Sequence, residues 1–309
     1  MPDQVVVGPL QERDLGAAEL ILRRAFGTFL GAPDPDTFWS DLDYVRSRFR
    51  APHVAAFGAT LNGAFVGSTF ATRWGSLGFF GPITIRTDLW DRGIAQHLLR
   101  ATVAQFDAWN LAHCGLFTFA HSARHVGLYE KFGFFARYLT AIMVAPAMRA
   151  CGGWQRLSKL TASQQTEALR ACRALTDSLF EGLDLGAEIE VVRDLGLGDT
   201  VLISDDTGVT GFAICHYGPA SEAGADTCLV KFGAARSGQD FDRLVDACEA
   251  LAVQAGMANL MAGANMGRIE AYTHLRRRGF RTAIQGVAMH RPNEPGYSRP
   301  GVYVIDDWR

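Results

Sequence analysis

The sequence lacks the patterns that would place it quickly in several common classes. Its six cysteines are scattered, and no C-x-x-C pair occurs, which excludes the usual zinc spacings and gives no disulfide framework. Such cysteines are typical of a reducing cytoplasm, the compartment we expect. No run of about 18 apolar residues occurs, so no transmembrane helix is predicted. The opening stretch MPDQVVVGPL has no basic segment before a long apolar run, so no signal peptide is predicted either.

An excess of positive charge is also missing. The formal net charge is −2, with 20% charged and 48% hydrophobic residues. Proteins that bind nucleic acid through phosphate contacts are normally basic, so the composition disfavours that class. The length of 309 residues allows about two domains. We expect an ordinary globular protein that has neither nucleic acid nor a membrane as its partner.

A possible phosphate-binding turn lies in the stretch from Ile83 to Phe106. A short β-branched alternation runs into the turn WDRGIA at residues 90–95, and an amphipathic helix follows. Free N–H groups and the positive end of the helix dipole meet at such a helix start. Gly93 lacks a Cβ, so the backbone can approach a phosphate closely. Neither G-x-x-x-x-G-K-[ST] nor G-x-G-x-x-G is present, and an ordinary strand-to-helix turn would show the same single glycine.

A second motif, LYEKFGF at residues 128–134, follows the turn. Together the two stretches resemble the pyrophosphate loop and the following motif of the GNAT N-acetyltransferase superfamily, with a predicted strand from Cys114 to Ala120 between them. The family's loop is usually Arg/Gln-x-x-Gly-x-Gly/Ala. Gly93 and Ala95 fit this pattern, whereas Trp90 stands where Arg or Gln is expected and removes one expected phosphate contact.

The resemblance implies an α+β fold with α/β/α layers, in which a mixed, mostly antiparallel twisted sheet is flanked by helices. Asn62-Gly63 predicts a hairpin between His53–Leu61 and Ala64–Arg73. Pro82 interrupts the predicted strand from Gly78 to Ile85, which favours an edge or a bulge there. Other predicted elements are a strand at Val5–Val7, helices at Leu15–Phe29, from Asp36 through Phe49, at Arg92–Asn110 and at Ala123–Phe132, a final hairpin up to about Met143, and a strand at Val302–Ile305.

Landmarks of the first half recur at a nearly constant distance in the second half. Gly133-Phe134 recurs as Gly279-Phe280, the glycine of Asn62-Gly63 recurs as Gly208, and Gly93 recurs as Gly238, at offsets of 146, 145 and 145 residues. The spacing predicts two tandem GNAT-like domains. We place the acetyl-CoA-binding domain at residues 1–148 and a degenerate copy at residues 149–309.

The two copies differ in chemistry. Leu275 stands at the position that corresponds to Tyr129, and it cannot donate a proton. Tyr272, one helical turn earlier, could be argued as a substitute, but packing is the simpler interpretation. The turn at Gly238 lacks the Gly-x-Gly/Ala pair, and Asp240 would place a negative charge near a pyrophosphate. We therefore assign cofactor binding to the first half.

By resemblance, the cosubstrate is acetyl-CoA. Its pyrophosphate would bind the N–H groups at the start of the helix, and its extended arm would pair with a strand edge, where a backbone N–H polarises the thioester carbonyl. Ser122 stands where the family often has an Asn that bonds the arm. The residues assigned to the cofactor are Ile83, Thr84, Ile85, Arg92, Gly93, Ile94, Ala95, Gln96 and Ser122.

The resemblance places the general acid at Tyr129. A phenol with a pKa of about 10 is protonated at neutral pH and can neutralise a leaving thiolate. For the base, His121 has a suitable side chain. Asp41 or Asp43 could instead bind or deprotonate a cationic acceptor, and a chain of water molecules would need no residue at all. A surface role for His121 and solvent-exposed roles for both aspartates stay open.

The sequence therefore predicts an acetyl-CoA-dependent N-acetyltransferase that needs no metal. It would transfer the acetyl group to a primary amine, on a small molecule or a protein, by direct attack in a ternary complex. The alternative is a non-catalytic acyl-CoA sensor or interaction module that kept the fold. Neither the acceptor, the length of the acyl group nor the oligomeric state follows from the sequence.

Overall fold

The computed structural model describes residues 4–148, called the first half below, and 151–309, called the second half. Together they form one mixed sheet of fourteen strands with helices on both faces. The strands of the first half are β1 Val5–Pro9, β2 Val54–Leu61, β3 Ala64–Trp74, β4 Leu77–Phe80, β5 Thr84–Ile85, β6 His113–Thr118 and β7 Phe135–Pro146. Its helices are α1 Leu15–Leu30, α2 Arg46–Arg50, α3 Ile94–Ala108 and α4 Ala123–Glu130.

The second half contributes the remaining strands and helices. Its strands are β8 Trp154–Arg156, β9 Gly198–Asp205, β10 Gly208–Gly218, β11 Gly224–Ala235, β12 Asn259–Asn265, β13 Arg281–Arg291 and β14 Tyr303–Ile305. Its helices are α5 Ala162–Leu179, α6 Gly186–Asp194, α7 Gly238–Gln254 and α8 Ile269–Arg277. Among the described residues, no helix combines the length and apolarity that crossing a membrane requires.

Neighbouring side chains on β3 show why the sheet is covered on both faces. Phe65 packs into the apolar cluster beneath α1, whereas Val66 packs into the cluster beneath α3. Successive residues of a strand point to opposite faces, so α1 and α3 lie on opposite sides. This is the α/β/α layering that was predicted, and the mixed, mostly antiparallel sheet agrees with the predicted fold class.

The predicted first hairpin is confirmed. Strands β2 and β3 pair antiparallel from Val54↔Thr72 to Leu61↔Ala64. The connecting residues both have positive φ, +52° at Asn62 and +84° at Gly63. A two-residue turn of this type matches the twist of the flanking strands, and Asn-Gly is the dipeptide that adopts it most readily.

The predicted second helix is wrong in its extent. Only residues 46–50 are helical, and the carboxylate that bonds N–H groups at the start of this helix is that of Asp43, not Asp36. The Asp43 Oδ1 accepts hydrogen bonds from the N–H groups of Arg46 and Ser47 at 2.8 and 3.3 Å. Asp36 instead pairs with Arg24, with 2.6 Å between Nε and Oδ1. The residues before Asp43 form turns that bring Trp39 and Tyr44 beside α1.

The predicted final hairpin of the first half is also wrong. Strand β7 has no partner in its own half: it pairs antiparallel with β13 on one side and with β12 on the other. Strand β13 in turn fills the place between β6 and β7. Each half therefore completes its sheet with a strand from the other, and the two halves share one continuous sheet.

The order of elements repeats along the chain. The series β2, β3, β4, α3, β6, α4, β7 is followed by β9, β10, β11, α7, β12, α8, β13. This repetition agrees with the predicted duplication. The predicted boundary between residues 148 and 149 lies at the edge of the described part of the chain, because residues 149–150 are outside it, and it stays a prediction.

A pair of parallel strands separates in the middle of each half. In the first half, β4 and β6 pair from Leu77↔His113 to Phe79↔Gly115. Beyond Phe80 the chain no longer pairs with β6, and β5, after Pro82, pairs with β3 as β4 does. In the second half, β11 and β12 pair only up to Val230↔Ala262. The space beyond the paired residues is occupied differently in the two halves.

Candidate functional site

A cavity of about 590 Å³ lies in the first half, where β4 and β6 separate. One wall is the chain from Phe80 to Ile85, and the opposite wall is the end of β6 with Phe119. The N-terminal turn of α3 closes one end, and α4 lines a side. The cavity thus lies among the elements that carry both sequence motifs.

The turn at Gly93 has the geometry that was expected of an anion site. Gly93 adopts φ +76°, and a Cβ built on it would lie 3.9 Å from the nearest atom, Gln96 Nε2, so the space beside it is open. Helix α3 begins at Ile94, and the first N–H groups of a helix have no partner within the helix. The Gln96 N–H already donates to the Gly93 carbonyl at 3.1 Å. Residues 93–96 all border the cavity, as do Ile83, Thr84 and Ile85.

Trp90 is part of the structure of this turn. Its indole Nε1 donates to the Ile85 carbonyl at 3.0 Å, which ties the turn to β5. The guanidinium of Arg124, on α4, lies 5.2 Å above the indole ring and pairs with Asp91 at 3.0 Å. Arg124 borders the cavity, whereas Arg92 is exposed and does not. Arg124 thus supplies a cation at the cavity beside this helix start, and the sequence analysis missed it, while the predicted role of Arg92 stays an untested prediction.

Tyr129 borders the cavity from α4 and is almost entirely buried. Burial raises the pKa of its hydroxyl well above the usual value, and a hydrogen bond with the Thr118 side chain opposes that shift only in part. The ring of Phe80 meets its ring edge-on at 5.7 Å between centroids. A phenol in this setting stays protonated at neutral pH and is held in one orientation, as an acid requires.

His125 borders the cavity one helical turn before Tyr129. Its Nδ1 lies 2.9 Å from the Ser122 Oγ, and burial lowers its pKa, helped by the charge of Arg124. A neutral imidazole beside a cavity can accept a proton. The spacing i, i+4 places His125 and Tyr129 on one helix face, a signal that could have identified this residue from the sequence.

The other candidates for base and cofactor contacts do not border the cavity. His121 is exposed, and its ring stacks on Phe29 at 5.7 Å. Ser122 uses its hydroxyl on His125. Asp41 accepts a hydrogen bond from the Ala225 N–H at 2.9 Å, and Asp43 caps α2. The predicted roles of His121 and Ser122 stay untested predictions.

The far end of the cavity is aromatic and includes residues of the second half. Its walls there are Leu22, Ala25, Phe26, Phe29, Trp39, Tyr44, Ile284, Trp308 and Arg309. Trp308 and Arg309 reach this end of the cavity from beyond β14. No sequence signal placed them there, because their position depends on the path of the second half.

Comparison with known proteins finds a family match for part of the chain and a shared fold for nearly all of it. Residues 19–134 match the model of the acetyltransferase (GNAT) family. No curated protein matches the chain. A proposed acetyltransferase from Pyrococcus horikoshii superposes with a TM-score of 0.68 at 15% identity, over 98% of this chain and 95% of that one.

Two further solved structures share the fold. A GCN5-related N-acetyltransferase from Sphaerobacter thermophilus has a TM-score of 0.58 at 14% identity, over 94% of this chain and 96% of that one. A GCN5-related glucosamine N-acetyltransferase region of a fungal multi-domain β-N-acetylglucosaminidase has a TM-score of 0.65 at 13% identity, over 94% of this chain and 38% of that one. Residues 19–134 thus match the GNAT acetyltransferase family, and nearly the whole chain has the fold of these structures.

Proposed function

We propose that the chain is an N-acetyltransferase that transfers an acetyl group from acetyl-CoA to a primary amine by direct attack. The observation that carries this proposal is the shared cavity. It joins the open helix start at Gly93, the strand edge from Ile83 to Ile85 and the buried hydroxyl of Tyr129. These are the binding, polarising and proton-donating groups that acyl transfer from a thioester needs.

The cofactor would occupy the cavity from the helix start to the strand edge. The N–H groups of Ile94 and Ala95 and the positive end of the α3 dipole favour a diphosphate beside Gly93. Arg124, held over Trp90, adds a cation there. The amide-rich arm would pair with the backbone from Ile83 to Ile85 as an added strand does, and a backbone N–H would polarise the thioester carbonyl.

Two protons must move during the reaction. The attacking amine loses one as its nitrogen bonds to the carbonyl carbon, and we propose His125 as the group that accepts it, because its ring is neutral and borders the cavity. The carbon–sulfur bond breaks as the amide forms, and Tyr129 protonates the leaving thiolate. Its raised pKa keeps the hydroxyl protonated, so turnover should show no loss from deprotonation of Tyr129 up to about pH 10.

The test begins with isothermal titration of the purified chain with acetyl-CoA. We expect one site per chain. Tyr129→Phe should then lower turnover by about tenfold or more while acetyl-CoA affinity stays nearly unchanged, because the acid acts on the leaving group. The matched control is Tyr272→Phe on α8 of the second half, which should leave both quantities unchanged.

The results separate the two function classes. Equal turnover by Tyr129→Phe and the parent chain across the pH range would remove Tyr129 from the mechanism. Stoichiometric acetyl-CoA binding without transfer to any primary amine in a broad panel would favour the acyl-CoA sensor. Absence of binding at millimolar acetyl-CoA would contradict both.

A further inference from the structure

The space between β11 and β12 in the second half is filled by the chain itself. Strand β14 pairs antiparallel with β11, with Tyr303 opposite Ala235 and Ile305 opposite Gly233. On the other side, the Asp306 N–H donates to the Gly263 carbonyl of β12 at 3.1 Å. The segment from Tyr303 therefore bonds both separated strands, where the first half has its cavity.

Buried hydrogen bonds anchor the residues that follow β14. The carboxylate of Asp306 accepts hydrogen bonds from Arg268 at 2.9 Å and from the Tyr297 hydroxyl at 2.5 Å, and all three side chains are buried. The Tyr297 hydroxyl in turn accepts a bond from the Trp308 indole at 2.9 Å. A buried ion pair with these additional bonds fixes the direction in which the chain continues.

Trp308 carries the chain across to the first half. It adopts a positive φ of +55°, an uncommon conformation for a large residue, which the surrounding contacts hold in place. Its ring packs on His290 at 4.8 Å and against the backbone of β6 at Gly115. A Cβ at Gly115 would come within 2.4 Å of the indole, so the close approach depends on that glycine.

Arg309 then reaches the aromatic end of the cavity. Its carbonyl accepts a hydrogen bond from Arg48 Nη2 at 2.6 Å. Its Nε donates to Asp307 Oδ1 at 2.9 Å, whereas its Nη2 has the Met261 sulfur, a weak acceptor, at 3.4 Å. The guanidinium is thus held on its Nε side, and its terminal nitrogens can still donate hydrogen bonds to an acceptor stronger than sulfur.

The charges around the cavity favour an anionic group at this end. Asp91 is the one carboxylate among the described residues that border the cavity, and it pairs with Arg124 near the start of α3. The aromatic end is bordered by the guanidinium of Arg309, which pairs on its Nε side with Asp307, and no carboxylate of the described chain borders the cavity there. A polycationic acceptor would find no counter-charge there, whereas a carboxylate could bind the guanidinium through two parallel hydrogen bonds.

We propose that Trp308 and Arg309 form an acceptor subsite for amines that carry a carboxylate next to a large apolar body, such as apolar α-amino acids. The aromatic walls contributed by Phe26, Trp39 and Trp308 contact the apolar part, and Arg309 binds the carboxylate. This inference rests on the proposed function, because it assigns the acceptor side of the same cavity. The second half then serves the first by supplying the specificity-determining residue.

Direct binding tests the subsite without relying on turnover. The full chain, both saturated with CoA and free of it, is titrated with N-acetyl-phenylalanine, N-acetyl-tryptophan and N-acetyl-leucine, and with the three matching amides that lack the carboxylate. At least one carboxylate-bearing compound should bind about tenfold or more tightly than its neutral match. Arg309→Gln should abolish this preference, Arg309→Lys should keep part of it, and the exposed control Arg281→Gln should retain it fully.

The outcomes distinguish the two proposals. If no carboxylate-bearing compound binds better than its neutral match to the parent chain, the subsite is wrong, and this comparison does not depend on any variant folding. A preference that survives in folded Arg309→Gln would also overturn it. Acetyl-CoA binding without the preference contradicts the subsite alone, whereas the preference without acetyl-CoA binding contradicts the proposed function alone.

Discussion

In each half of the molecule a corresponding pair of parallel strands separates, and the space between the strands is used in opposite ways. Between β4 and β6 the space is open and forms the cavity, whereas between β11 and β12 it is filled by β14. A chain segment in the second half thus takes the place that the extended arm of a cofactor would have in the first. The comparison teaches that the occupant of the gap, more than the fold, distinguishes the halves.

The N-termini of α3 and α7 also differ in whether the space beside them is open. Beside Gly93 the space is open, whereas a Cβ on Gly238 would meet His274 Nε2 at 3.1 Å and the Tyr303 hydroxyl at 3.2 Å. Asp240, in the first turn of α7, bonds Ser237 and Arg243. A carboxylate at a helix start satisfies the dipole locally and opposes a bound phosphate.

The largest effect should come from breaking the link between the halves. Glu222 in the second half pairs with Arg48 in the first at 2.6 Å and with Lys231. Glu222→Gln would leave both buried cations without their counter-charge, so we expect a loss of about 3–5 kcal/mol in unfolding free energy. Urea unfolding at pH 7 measures it, and Glu167→Gln, at an exposed carboxylate that pairs with Arg170, is the near-neutral control.

The same pair predicts a pH dependence. Burial alone would raise the pKa of Glu222, but the charges of Arg48 and Lys231 outweigh it and lower the pKa to about 2. As the pH falls, Glu222 therefore takes up a proton in the unfolded state before it does so in the folded state. The stability contributed by Glu222 is lost as the pH falls from about 4.5 towards 2. Glu222→Gln should flatten that acid limb. An unchanged limb in the variant would assign the loss to other groups.

The next effect concerns the two glycine turns. Gly93→Val places a branched side chain at φ +76° and beside the proposed phosphate position, so acetyl-CoA affinity should fall about a hundredfold. Gly238→Ala crowds His274 and Tyr303 in the second half and should leave cofactor affinity unchanged. Isothermal titration compares the two. A loss of affinity in Gly238→Ala similar to that in Gly93→Val would mean that the second half also binds the cofactor.

A smaller effect should separate the two histidines of the first half. His125→Gln should lower turnover about tenfold because it removes the proposed base at the cavity. His121→Gln serves as its pair, since His121 is exposed. The pKa of His125 is lowered, so its ring stays neutral as the pH falls through the ordinary histidine range, and base function should persist there. A larger loss in His121→Gln would support the original assignment of the base.

The smallest effect is expected from enlarging the space beside Gly238 in the second half. Tyr303→Ala removes the hydroxyl beside Gly238, but His274, Asp240 and the backbone of β14 remain. The stoichiometry of acetyl-CoA binding should therefore stay at one per chain by titration. Two sites per chain in this variant would show that Tyr303 alone closes the second half.

The local elements of the site could be predicted from the sequence because each depends on adjacent residues. The turn at Gly93, the hairpin at Asn62-Gly63 and the helix that carries Tyr129 all follow from short-range patterns. The helix expected from Asp36 begins only at Arg46, because Asp36 pairs with Arg24 and the side chain that bonds the helix start is that of Asp43. Pro82 predicted an interruption of the strand between β4 and β5, but it did not predict that β5 would pair with β3.

The long-range parts could not be predicted in this way. The strand exchange between β7 and β13 depends on partners from opposite halves, and no local pattern records which edge a strand joins. Arg309 lies on the cavity only because β14 fills the second gap and Arg48 holds its carbonyl. Trp308 and Arg309 were therefore missed because the other half places them, whereas Arg124 and His125 lie on α4 of the first half and were missed for want of attention to the helix face.

The exchange of β7 and β13 has a consequence for synthesis on the ribosome. Residues 4–148 emerge first, with β7 still unpaired and the edge of β6 uncovered, because β13 has not yet been translated. At ordinary translation rates this lasts on the order of ten seconds. Uncovered strand edges attract other chains. Until β13 is made, the nascent first half thus exposes strand edges with which another chain can pair.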